Sequence, residues 1–281
     1  MNNRKLVRLV SVLVILVVAV VNAVDKNRGV DEKQTSAVDA QKVNTDSGSV
    51  KDSDNNVAYA SLLMQNGREG MLLRRKGYLA CYDASMRIPH WVAWQLTAEK
   101  VESKVKRTDD FAEDTEVIDG PALADYRGSG WSRGHMCPAG DNRWDREAMS
   151  QSFLLTNMCP QNARLNNGDW KELEEKCRKW AKKYGEIFIV CGPLLYNSRH
   201  QTIGNGRIVV PEAFFKVVLC MAGKPKAIGF IYKNGEGDRP MGDYVNTVDE
   251  VERMTGIDFF PSLDDETEKK VEAQANLKDW K

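Results

Sequence analysis

Three features of the 281-residue sequence predict an α+β fold, with helices packed on a central antiparallel sheet. β-Rich runs occur as neighbours separated by short turns. Helical stripes interrupt and follow them without strict alternation, and 42% of the residues are hydrophobic, enough for a large core. Basic and acidic residues balance at 40 each, so no global basic field draws the chain to polyanions. Any polyanion site must be local.

The elements follow in chain order. Arg4, Lys5 and Arg8 precede an apolar run over residues 9–21, and Val21-Asn22-Ala23 offers small residues for cleavage. Residues 1–23 therefore read as a signal peptide or a membrane anchor. Either reading puts the rest of the chain outside the cytoplasm, periplasmic or secreted. Residues 24–56 are polar and aperiodic, as in a flexible linker, and residues 57–281 read as one domain. Within it, residues 78–83 and 91–97 are β-rich runs flanking a turn that contains Pro89, the pattern of a hairpin. Gly128-Ser129-Gly130 suits a tight loop but lacks the Lys-Ser/Thr of a phosphate-binding loop. Asp145 caps a short helix reaching about residue 153.

A longer helix follows. Asp169 stands at its cap, Trp170, Leu173, Cys177, Trp180 and Tyr184 recur at spacings of three and four, and Gly185 ends it. Glu174 and Arg178 lie four apart on the edge of that stripe. Residues 187–191, 208–210, 214–221 and 227–232 complete the predicted antiparallel sheet, the last two runs joined by the turn Ala222-Gly223-Lys224-Pro225. Thr247 with Glu250 forms a capping box for a helix ending near Gly256, and residues 264–276 form a final helix.

The six cysteines, at 81, 137, 159, 177, 191 and 220, permit up to three disulfides in an exported protein. Buried free thiols are the alternative, best suited to Cys191 and Cys220 in their apolar runs. Cys137 and Cys159 each follow a motif residue by two positions, so a staple between them is expected if the two motifs converge. No Cys-x-x-Cys spacing suggests zinc.

The chain has only three histidines. His90, beside Pro89 and Trp91, and His200, in a polar loop, read as structural. His135 sits in Ser132-Arg133-Gly134-His135-Met136, and Arg133, two residues earlier, shares its face in an extended segment. Phosphodiester hydrolysis needs a base for water, positive charge for the phosphorane and help for the departing alkoxide. Imidazole is the side chain whose ordinary pKa suits the first task. The downstream segment Thr156-Asn157-Met158-Cys159-Pro160-Gln161, with Leu165-Asn166, and then Glu174, adds the oxygen donors that a hard divalent cation prefers.

The segments from Ser132 to Ala139 and from Thr156 to Gln161, followed by Asn166, Trp170 and Leu173-Glu174, resemble the DNA/RNA non-specific endonuclease family. This is a family of ββα-metal, or His-Me finger, nucleases that includes secreted bacterial nucleases and mitochondrial endonuclease G. The resemblance runs over residues 78–261 and includes Trp91-Val92-Ala93-Trp94, Arg107 with Phe111, Cys191-Gly192-Pro193 and Phe215-Lys216.

It implies a ββα-metal active-site motif. His135 would be the general base, and Asn166 the direct ligand of a hydrated Mg²⁺, with Mn²⁺ or another divalent cation as alternatives. Glu174 would order water around the ion, Arg133, Arg107 and Arg178 would contact phosphate, and Asn157 would support the site. Ser132 departs from the aspartate that opens the family's usual motif. The lost carboxylate puts the orientation of its neighbours and metal attraction in doubt, while the base, ligand and arginines remain.

The expected function is thus an exported, metal-dependent endonuclease with DNA and RNA as substrates and little sequence specificity. The alternative is a nucleic-acid-binding protein of the same fold with weak or no catalysis. Some relatives dimerise, so a homodimer is a candidate assembly, with no interface legible in the sequence. The lysines at 171, 176, 179, 182 and 183 form a helix face that is solvated or gathers phosphate.

Overall fold

A computed structural model describes residues 70–235 and 237–281. The signal or anchor expected over residues 1–23, the linker over 24–56 and the domain start at 57 lie outside the described residues. Strands β1 (Met71–Arg74), β2 (Leu79–Asp83) and β3 (Ile88–Thr97) come first, then the short helices α1 (Ala98–Glu102) and α2 (Leu123–Tyr126). Strand β4 (Ser132–His135), helix α3 (Arg146–Gln151) and strand β5 (Met158–Gln161) lead to helices α4 (Ala163–Asn167) and α5 (Asp169–Tyr184). Strands β6 (Glu186–Leu194), β7 (Thr202–Ile203), β8 (Ile208–Val209), β9 (Ala213–Cys220), β10 (Lys226–Lys233) and β11 (Val245–Asn246) follow, and α6 (Val248–Thr255) and α7 (Asp265–Glu272) close the order.

Seven strands form the predicted central sheet in the order β1-β2-β3-β6-β9-β10-β11, antiparallel at every pairing. The run at 208–210 does not join it. It supplies the two-residue β8, which pairs only with β7, because Pro211 has no N–H to continue a ladder. β1 and β11, short edge strands with partly exposed positions, were not anticipated.

Every position of β9 is buried, and the two-residue period of a strand divides its side chains between two cores. Phe214 and Val218 join Trp94, Trp170, Leu173, Cys177 and Trp180 on the face covered by α5. Phe215, Val217 and Leu219 join Val248, Val251, Phe259 and Val271 on the face covered by α6 and α7. Two covered faces explain why these strands read as continuous apolar runs rather than alternating ones.

Helix ends follow local hydrogen bonding. Asp145 caps α3 by accepting from the backbone N–H groups of Glu147 and Ala148 at 2.8 and 3.0 Å. Asp169 is the first residue of α5 rather than its cap: Gly168 takes that place, and the Asp169 carboxylate accepts from Tyr244 Oη at 2.6 Å and Asp238 N at 2.9 Å. Gly185, with φ of +89°, ends α5 in a conformation that side-chain-bearing residues avoid. Thr247 caps α6, but Glu250 turns to Arg253, so the capping box is only half formed. The last helix stops at Glu272, and Asn276 caps a separate 3₁₀ turn, Leu277–Trp280.

All six cysteines are free and buried, so the expected disulfides are absent, including the Cys137–Cys159 staple. In the β4-β5 ladder Cys159 stands opposite Gly134 instead. The Cys137 sulfur accepts from Asn142 Nδ2 at 3.2 Å, and the Cys191 thiol donates to the Met136 carbonyl at 3.2 Å. Burial pushes the Cys177 and Cys191 thiols up to about 12, which keeps them protonated and unreactive.

Candidate active site

Strands β4 and β5 pair antiparallel, His135 opposite Met158 and Arg133 opposite Pro160. Gly134 is required between them: a Cβ there would lie 2.3 Å from the Gln161 side-chain oxygen. Because strand side chains alternate, Arg133 and His135 share a face, and both line an open cleft of about 780 Å³. Helix α4 brings Asn166 to the same cleft, and α5, entered immediately afterwards, brings Glu174 and Arg178. Arg107 enters from the loop after α1.

His135 is 8% exposed, its ring set edge-on against Phe153 at 5.0 Å and tilted against Phe111 at 5.5 Å. Its Nε2 has no hydrogen-bond partner among the described residues. Burial, reinforced by the charges of Arg107 and Arg133, pushes its pKa down to about 3. The imidazole is therefore neutral at physiological pH. The same aromatic wall seats the arginines: Arg133 lies over Phe111 at 3.9 Å and Arg107 over Phe153 at 4.8 Å.

On the α5 side, Arg178 Nη1 donates to Asp141 Oδ1 at 2.8 Å, and Asp141 Oδ2 accepts from Trp94 Nε1 at 3.0 Å. Gly140 makes room for this, since a Cβ there would lie 2.7 Å from the guanidinium. Arg178 thus pairs with Asp141 rather than closing on Glu174. Burial pushes the Glu174 carboxyl up to about 7 against the opposing pull of Lys216, Arg178 and Arg107. Lys216 is itself buried in the sheet, its ammonium 4.3 Å from the Trp170 ring centre.

The cleft thus gathers six of the seven residues singled out in the sequence: Arg107, Arg133, His135, Asn166, Glu174 and Arg178. Asn157 stands behind it, fully buried. Its Oδ1 accepts from Cys137 N at 2.9 Å, and its Nδ2 donates to the carbonyls of Cys137 and Ser152, each at 2.8 Å. It anchors the chain just after His135 and has no group left for substrate. Among the lining residues the cations are Arg107, Arg127, Arg133, Lys171 and Arg178, and Glu174 is the lone carboxylate. Of the lysine face on α5 only Lys171 reaches the cleft.

His90 pairs with Asp83 at 3.2 Å and His200 with Glu212 at 2.8 Å, both away from the cleft. Sequence reasoning missed Asp141, Phe153 and Arg127. Asp141, a carboxylate in the small-residue run Ala139-Gly140 after the histidine motif, was the one signal that could have been found.

The donors facing the cleft suit a hard cation. Asn166 has no side-chain hydrogen-bond partner among the described residues, Glu174 offers a carboxylate, and no thiol lines the wall.

A β4-β5-α4 unit presenting His135 and Asn166 to a common cleft, set on an antiparallel sheet, defines the ββα-metal class of nuclease folds. The chain belongs to the DNA/RNA non-specific endonuclease family, whose model matches residues 58–266. It is 35% identical over 201 residues to the mitochondrial nuclease EXOG of Xenopus laevis, covering 65% of this chain and 56% of that protein. To human mitochondrial endonuclease G it is 32% identical over 208 residues, covering 68% and 70%. The chain thus spans little more than half the length of its EXOG relatives. A crystal structure of an EndoG/EndoGI complex superposes with a TM-score of 0.69 at 28% identity, covering 78% of this chain and 95% of that one.

These relatives correct one expectation. Both curated proteins are mitochondrial nucleases, which points away from the periplasmic or secreted location expected from the N-terminal sequence.

Proposed function

We propose that the protein is a divalent-metal-dependent nuclease that hydrolyses backbone phosphodiesters of DNA and RNA with little sequence specificity. One observation carries this reading: a neutral histidine whose Nε2 has no hydrogen-bond partner among the described residues stands among arginines in a cleft that also holds an asparagine amide unengaged among those residues and a carboxylate. The family and the named relatives support it.

His135 takes the proton from the attacking water. A phosphodiester beside the ring offsets the field of Arg107 and Arg133 and raises the basicity that burial had lowered. Arg133, Arg107 and Arg178 bind phosphate oxygens and stabilise the charge that develops on them. Phe111, Phe153 and Asp141 hold those guanidiniums in place. Asn166 would hold the cation, Mg²⁺ in the first instance, with Glu174 ordering its water; when bound, the ion supplies Lewis acidity and charge for the departing oxygen. None of these groups reads base edges, which is why backbone contact without sequence preference is the expected mode.

The test is incubation of the full-length protein with plasmid DNA and single-stranded RNA, with Mg²⁺ or with a chelator, beside His135→Ala. Cutting of both substrates that chelation abolishes is the expected result. Undiminished cutting by His135→Ala would sink the mechanism, and binding without any cutting by the wild type would leave a nucleic-acid-binding protein.

A further inference from the structure

On the opposite face of the sheet from the cleft, α6 and α7 pack on the core through Val248, Val251 and Val271. Where they meet, Asp249, Glu252 and Glu272 each place a carboxylate oxygen within 4.8 Å of the other two. Glu272 is only 7% exposed, and its Oε1 has no hydrogen-bond partner among the described residues. A second buried, unpartnered oxygen belongs to Glu268. Glu252 Oε1 accepts from Phe259 N at 2.7 Å, which orients the carboxyl and leaves its other oxygen available.

We propose that this cluster is a structural divalent-cation site, best matched to Ca²⁺, that clamps α6 to α7 independently of the catalytic ion. Two carboxylate oxygens on one calcium, at about 2.3–2.6 Å each, stand up to roughly 5 Å apart, so a set lying within 4.8 Å can share one such ion. Calcium tolerates irregular sets of about six to eight oxygens, whereas magnesium, at about 2.0–2.1 Å, demands near-ideal octahedral geometry and keeps several of its waters. All the ligands are oxygens, and the arrangement has no thiol or imidazole to favour a softer metal.

The charge balance points the same way. The charges acting on Glu272 come from Glu252, Glu268, Asp249 and Asp258, every one a carboxylate. Of the three basic side chains on these helices, Arg253 pairs with Glu250 and Lys270 with Glu266, and neither these nor Lys269 forms an ion pair with Asp249, Glu252 or Glu272 among the described residues. Burying an anionic oxygen without a cation or a donor is costly, and an ion between the helices removes that cost. The spacing also follows helix geometry: the ligands Asp249 and Glu252 are three apart on α6 and share one face, and Glu268 lies four residues before the ligand Glu272 on the same face of α7.

The experiment is thermal unfolding of the metal-free, full-length protein with and without CaCl₂, in four forms: wild type, Asn166→Ala, Glu272→Gln and the double variant. Asn166→Ala removes the catalytic ligand, so any calcium response it keeps arises elsewhere. Calcium at a hundredfold excess over its Kd is expected to raise the Tm of wild type and Asn166→Ala by about 5 °C. Neither variant carrying Glu272→Gln should respond. In chelator Glu272→Gln should fold at least as well as wild type, since it removes a buried anion, and its nuclease activity should be unchanged. Asp249→Asn, on the exposed rim, provides a second test: its calcium affinity should fall at least tenfold. Absence of a calcium shift in Asn166→Ala, or an equal shift in the double variant, would overturn the proposal.

Discussion

The two faces of the sheet handle buried carboxyl groups in opposite ways. In the cleft, Glu174 is pushed up to about 7 by burial while Lys216, Arg178 and Arg107 pull against it. Between α6 and α7, Glu252 and Glu272 are pushed up to about 7 and about 8, and the charges named around Glu272 all push further in the same direction. Burial is the leading cause in both places, so burial alone does not distinguish a reactive site. The neighbours do. Around Glu174 the cations Lys216, Arg178 and Arg107 favour the anion against Asp141 alone, whereas around Glu272 the neighbouring carboxylates favour a proton or a cation.

The largest expected effect lies in the cleft. Replacing the proposed base by His135→Ala should lower the cleavage rate by about 10² to 10⁴ while leaving the melting temperature near that of the wild type. A plasmid-nicking time course measures the first and calorimetry the second. Next comes Asp141→Asn, which removes the partner that aims Arg178. The KM for nucleic acid should rise roughly tenfold, the scale of one charge-assisted hydrogen bond, with a smaller change in kcat. A fall in kcat alone would show that Arg178 needs no positioning.

Gly134→Ala should destabilise the protein by about 1–3 kcal/mol, because its methyl meets Gln161 where both positions are buried in the β4-β5 ladder. Denaturant unfolding reads this directly, and an unchanged midpoint would mean that the β4-β5 pair yields more easily than its packing suggests.

The smallest effect belongs to the other face. A carboxyl raised in the folded state stabilises below its unfolded pKa, and that contribution is lost as pH rises through the folded value. For Glu272 the window runs from about 4.5 to about 8. In chelator, Glu272→Gln should therefore melt about 2–4 °C above wild type at pH 8, with the gap closing below pH 4.5. A gap that widened towards acid would reverse the sign and remove the carboxyl crowding on which the contrast between the faces rests.

The parts of this molecule legible in sequence are those governed by local periodicity. The stripe from Trp170 to Trp180 predicts α5, and Asp145, Thr247 and Asp264 mark helix starts where their side chains do cap. Arg133 and His135 fall on one face because strand geometry puts them there. The errors share a different cause. Asp169 carries a cap residue's chemistry, yet Tyr244 and Asp238, some seventy positions away, claim its carboxylate. The cysteines have a count that suits disulfides, yet each is sequestered in the core as a free thiol.

The sequence by itself determined the main strands of the sheet, the longer helices and the histidine motif, because spacings of two, three and four residues act within one element. It also carried the family resemblance that the comparisons confirm. Only the tertiary structure decided that Asp141 would seat Arg178, that Asn157 would brace the motif from behind, and that acidic residues on α6 and α7 would meet. Those pairings join residues that are close in space and far apart along the chain. Their energies depend on burial and on the charges of neighbouring elements, which a linear pattern does not record.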